Sequence, residues 1–102
     1  MSDFTNGLNP AEEERIQCLA EEAVEIVKAC MKVLRHGYDS INPDDPSAID
    51  NRGDLCKEIG NFKYVLERMS CEGDLRNDII SRGYAGKALS WVRYTHHQPE
   101  IQ

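Results

Sequence analysis

Asn9-Pro10 opens, and Gly37 closes, a stretch in which Ile16, Leu19, Ala20, Ala23, Val27, Cys30 and Leu34 recur at steps of three and four. That period belongs to an α-helix with one apolar stripe and not to a strand. Asn9 has the form of an N-cap, Pro10 suits the first helical position, and Glu12 and Glu13 place acids in the first turn, where the helix dipole favours them. A glycine supplies the stop. The pattern predicts a helix from Pro10 to about Arg35.

Two further helices follow from the same reasoning. Asn51 is read as a cap, Asp54 as a first-turn acid, and Leu55, Ile59, Phe62, Leu66 and Met69 as the apolar positions of a helix ending near Ser70. Gly73 breaks that pattern. Asp74 is positioned to cap a third helix carrying Leu75, Ile79, Ile80, Tyr84, Ala88, Leu89, Trp91 and Val92 towards Tyr94, weakened in its middle by Gly83 and Gly86. Between the first two helices, Tyr38 to Asp50 contains Asn42-Pro43 and Asp45-Pro46 and reads as an irregular connection, long enough to carry function. The expected organisation is a tail over 1–8, one helical domain over 9–98 and a tail over 99–102. The fold class is all-α, a bundle of about three to four helices per chain.

With 102 residues the chain builds one small core, so association of identical subunits is an expected source of stability. Cys18, Ala29 and Val33 form a second strip on the first helix, away from the main stripe. Small residues there admit another helix, which predicts a homodimer or homotetramer whose interface walls the site. The net charge of −6, from 18 acidic and 12 basic residues, argues against a nucleic-acid coat, though not against a small anionic ligand held through a cation. Cys18, Cys30, Cys56 and Cys71 have no CxxC pairing, which argues against structural zinc and for packed, free thiols in a reducing cytoplasm. No apolar run approaches the roughly 20 residues of a membrane span.

The chemistry concentrates in Glu21-Glu22-Ala23-Val24-Glu25 and Glu58-Ile59-Gly60-Asn61. Residues three apart on a helix lie about 60 degrees apart and one turn up, so Glu22 with Glu25, and Glu58 with Asn61, each form an oxygen pair. Antiparallel packing of the two helices would bring the pairs together as ligands for Mg2+ or Mn2+. Glu58 lies about 60 degrees from Leu55, at the edge of the apolar stripe, where an unpaired carboxylate is costly. Read from spacing alone, the glutamates are first a solvated face in which Glu21 or Glu25 pairs with Lys28 or Lys32, and a metal site second.

EExxE followed about thirty residues later by ExxD resembles the MazG-like, all-α nucleoside triphosphate pyrophosphohydrolases. LAEEAVEIVKACMKVLRHGYDSINPD, NRGDLCKEIGNFKYVLERM and YTHHQ are similar to short members found in bacteriophage genomes, a likeness covering residues 10 to 98. The resemblance implies a bundle enlarged by homodimerisation and hydrolysis of a nucleoside triphosphate to a monophosphate and pyrophosphate. It implies Glu22, Glu25 and Glu58 as metal ligands, Asn61 at the fourth position, and Glu21, with Glu22, assisting ligation or activating water. It also implies the cytoplasm, of the host if the gene is a phage's. Asn61 departs from the family's aspartate: its carbonyl ligates a hard cation without contributing charge, which weakens metal binding and puts turnover in doubt.

Lys28, Arg35, His36 and Lys63 are candidate phosphate contacts, while cations near a helix end also complement the dipole. Lys32 is read as such a dipole cation. His96 and His97 could close over a nucleotide from a neighbouring subunit, and Trp91 and Tyr94 could stack on a base, although Trp91 on an apolar helical face is read first as core. The alternative function is a binding protein that holds or sequesters a nucleotide or nucleotide signal without turnover. A structural helical adaptor, indifferent to metal and nucleotide, is the third.

Overall fold

Asn9 accepts a hydrogen bond from the Glu12 amide at 2.8 Å while the Glu12 carboxylate accepts from the Asn9 amide at 2.9 Å. This reciprocal cap satisfies two amides that a helix start leaves without partners. It opens α1, Pro10–His36, in a computed structural model that describes residues 5–45 and 49–99. Gly37 ends α1 at φ +85°, donating to the Val33 carbonyl at 2.7 Å. The two remaining elements are α2, Asn51–Cys71, and α3, Asn77–Tyr94, and the described residues contain no strand. Residues 1–4 and 100–102 of the expected tails, and 46–48 of the connection, lie outside the described residues.

Two caps differ from expectation. Asp50, not Asn51, caps α2, its carboxylate accepting from the Gly53 amide at 2.7 Å, while Asn51 begins the helix and donates its side-chain amide to the Gly37 carbonyl at 3.0 Å. Asp74 does not cap α3. Its carboxylate is taken by Arg15, and α3 starts after Arg76 with no side-chain cap. Charge pairing with a guanidinium outcompetes capping because both bond types draw on the same oxygens and the ionic one is stronger. Gly73, at φ +82°, makes the turn that brings Asp74 back towards α1.

Among the described residues only α1 and α2 pack extensively, as an antiparallel hairpin. The face of α1 turned to α2 carries Arg15, Leu19, Glu22, Ile26, Ala29 and Val33, with Ala29 only 2% exposed. The stripe expected to be the core is instead largely open: Ile16, Ala20, Val27, Cys30 and Leu34 are exposed. Ala29 and Val33, expected to face another subunit, therefore lie inside the hairpin. On α2 the inward positions are Leu55, Glu58, Phe62, Val65, Leu66 and Met69, whereas Ile59 is exposed. All four cysteines are exposed, contrary to the expectation of packed thiols.

α3 leaves Ile79, Ile80, Tyr84, Leu89, Val92 and Tyr94 exposed, and Trp91, read as core, is exposed too. The radius of gyration is 18.0 Å. A compact domain of this length has about 13 Å. The accessible surface is 8735 Å². A folded monomer of this mass exposes about 5,800 Å², so about 2,900 Å² of surface per chain lacks the cover that folding normally provides.

Candidate functional site

The acidic residues sit on a hairpin with well-formed ends, so their placement follows from register. Lys32 of α1 lies 3.7 Å from Asp54 of α2, and Arg15 meets Asp74, which fixes the antiparallel alignment. That alignment puts Glu25 and Glu58 on the walls of one cleft of about 250 Å³, shared with Lys28, Ala29, Lys32, Asp54 and Lys57. Ala29, 2% exposed on this wall, is small enough to admit a close approach of the two helices.

Glu58 is buried, and its carboxylate is approached by the Lys57 ammonium at 3.6 Å and by the Asn61 amide at 3.5 Å. Asn61 thus meets Glu58 as spacing predicted, with its amide group turned to the carboxylate as a donor. Glu25 pairs with Lys28 at 3.4 Å. Glu22 faces α2, and its Oε2 is buried without a hydrogen-bond partner, a costly state for a carboxylate oxygen. Glu21 is exposed and lines neither this cleft nor the larger cavity beside it.

Oxygen donors with one orphaned oxygen suit a hard divalent cation in kind. Among the described residues, however, no three His, Cys, Asp or Glu side chains are gathered closely enough to hold an ion. Glu25 and Glu58 share the cleft, Glu22 lies along the same strip, and lysines occupy the intervening positions as ion-pair partners. Asp54, then Glu58, hold the Lys57 ammonium above its ordinary value of 10.5.

Beyond the cleft, across the shared side chains Lys32, Asp54 and Lys57, lies a second cavity of about 860 Å³. Arg35 and His36 from the last turn of α1 reach it, and Ile41, Pro43 and Ile49 form an apolar wall. The connection is clamped where it meets α2: the Asn51 amide donates to Ser40 at 3.0 Å, the Arg52 amide to Tyr38 at 2.8 Å, and the Arg52 guanidinium stacks 4.3 Å from the Tyr38 ring centre. The irregular segment is therefore built against the helix start and shapes a concave wall.

The structure distributes the expected phosphate contacts unequally. Arg35 and His36 line the large cavity and Lys28 the small cleft, while Lys63 is exposed and lines neither. His96, His97, Trp91 and Tyr94 line neither cavity. Asp54 and Lys57 were missed as site residues, and Lys32 was read as a dipole cation. The legible signal for Asp54 was its position four residues before Glu58, one turn along the same face.

Comparison of the chain with models of protein families, with curated proteins and with solved structures finds no match. No helix among the described residues is long and apolar enough to cross a membrane.

Proposed function

We propose that this chain is a Mg2+-dependent nucleoside triphosphate pyrophosphohydrolase of the MazG-like kind. The observation that carries the reading is the shared cleft of Glu25 and Glu58 beside the buried, partnerless Oε2 of Glu22. Glu22, Glu25 and Glu58 would hold the ion after their side chains close on it, since as they stand no three acids among the described residues are gathered closely enough, and the Asn61 carbonyl would become available after a flip of its amide. A bound Mg2+ supplies charge neutralisation for the phosphates and a more acidic water. In the reaction a water oxygen bonds to the α-phosphorus, the α–β bridging P–O bond breaks, and its electron pair leaves on pyrophosphate. The carboxylates orient that water and accept its proton, and Lys28 and Lys57 are placed to turn from Glu25 and Glu58 to phosphate oxygens.

The experiment is incubation of purified protein with Mg2+ or Mn2+ and each common ribo- and deoxyribonucleoside triphosphate, with pyrophosphate as the readout. Release of pyrophosphate from at least one supports hydrolysis; none at high protein concentration removes it. Asn61 favours the second reading, a nucleotide-binding protein without turnover, because the position donates a hydrogen bond to Glu58 and adds no charge. Tight nucleotide binding in calorimetry with no product would select it.

The protein's partner in this proposal is a second copy of itself. About 2,900 Å² of uncovered surface per chain exceeds the roughly 800 Å² per partner of a standard interface and falls among obligate assemblies. The exposed α1 stripe through Val27 and Leu34 and the apolar residues of α3 are the surfaces that a homodimer or homotetramer would cover.

A further inference from the structure

We infer that the cavity between the last turn of α1 and the connection to α2 is a diphosphate pocket, which holds the β- and γ-phosphates of the nucleotide and retains them as the pyrophosphate leaving group. This rests on the hydrolase reading for the words leaving group; the pocket itself rests on the following geometry. Three cations and a histidine gather at one end of the hairpin. Lys32, Arg35, Lys57 and His36 line the cavity together with the acids Asp45 and Asp54, and Asp54 holds Lys32 at 3.7 Å and Lys57 at 3.5 Å. The side chains of Arg35 and His36 make no hydrogen bond or ion pair with any described residue, so their side-chain donors are free for a ligand.

The opposite direction along the hairpin offers no such set. From Glu22 towards the far end, Arg15 is committed to Asp74 through Nε and Nη2, and Lys63 is exposed. A triphosphate whose α-phosphorus lies at Glu25 and Glu58 therefore has a favourable course for its two distal phosphates only through Lys32 and Lys57 into the cavity. On the way it passes Ile41, Pro43 and Ile49, which line one side of the cavity with both isoleucines about half exposed. The nucleoside is then directed away from the connection, out of the hairpin, so base selection falls to a surface other than this cavity.

The test is calorimetry of the full chain with sodium pyrophosphate, in EDTA and in Mg2+, for the wild type, Arg35→Ala and Arg82→Ala, the last being an exposed α3 cation paired with Asp78. The expected result is pyrophosphate binding that Arg35→Ala weakens about tenfold, as expected for the loss of a charged hydrogen bond, and that Arg82→Ala leaves unchanged. In parallel, amide NMR shifts of the wild type should move at residues 35–42 and 51–57 with pyrophosphate and stay in place with a nucleoside monophosphate. Absence of pyrophosphate binding, equal behaviour of the two variants, or shifts confined to the monophosphate would each overturn the pocket. Pyrophosphate binding without hydrolysis of any triphosphate upholds the pocket and removes the enzyme. Hydrolysis with no effect of Arg35→Ala on pyrophosphate does the opposite.

Discussion

Arg15 on α1 and Asp74, beyond the end of α2, are joined by two hydrogen bonds, Nε to Oδ2 at 2.6 Å and Nη2 to Oδ1 at 3.1 Å, across 59 positions of sequence. Two parallel bonds between planar groups hold orientation as well as distance, so this pair locks the far end of the hairpin in register. The opposite end is held by Asn51 bonding Gly37. The acidic cleft lies between these two fastenings.

The lock makes stability sensitive to acid. The hydrogen bonds from Arg15 keep the Asp74 carboxyl below its ordinary value of 3.8. A depressed carboxyl stabilises the fold above its unfolded value, and that contribution disappears as pH falls through the folded value. Melting temperature should drop as pH falls below about 4, and Asp74→Asn should lower it at neutral pH while flattening that acid limb. Calorimetric scans from pH 2 to 7 check both.

Asn61→Asp should raise Mn2+ affinity about tenfold, the lower end of what one added or lost group near a metal does, and should raise triphosphate hydrolysis with it. The replacement returns a charge beside Glu58, where the amide now donates. Glu58→Gln should abolish the metal-dependent rise in melting temperature. Metal calorimetry and a pyrophosphate assay on the three proteins decide the matter.

Ala29→Leu should destabilise the protein by about 1–3 kcal/mol, because a larger side chain overpacks the contact between α1 and α2. Ala29 is 2% exposed and lies on the wall of the acidic cleft. Urea unfolding at fixed protein concentration measures the cost, and the same variant should lose nucleotide-dependent stabilisation as the cleft widens.

Leu89→Asp should convert the assembly to single chains of 11.6 kDa. Leu89 is 82% exposed and lies outside the packed hairpin of α1 and α2, so the hairpin's helicity should survive in circular dichroism. Light scattering should give at least twice one chain's mass for the wild type and the single mass for the variant. An unchanged mass would remove α3 from the interface.

Local chemistry in the sequence was enough to set the limits of α1. The Asn9, Pro10 and Glu12 start and the Gly37 stop act within a few residues of chain, and the structure places them as read, with helix α1 one residue longer than expected. The Glu58 and Asn61 pairing was legible for the same reason, being one turn of one helix. Which side of α1 faces inward was not. Two strips overlap there, Ile16, Ala20, Val27 and Leu34 on one side and Leu19, Ile26, Ala29 and Val33 on the other, and helical period alone gives both the same standing. Only packing against α2 decided between them: the small side chain of Ala29 permits close approach, whereas the larger stripe is left open in the single chain. Likewise Asp74 looked like a cap until the turn at Gly73 carried it to Arg15, and Asp54 looked like an ordinary first-turn acid until register set it, with Lys57, between Glu58 and Arg35. Sequence determines what a residue does with neighbours within a turn or so of chain; partners tens of residues away depend on where the backbone travels, and only the tertiary structure supplies that.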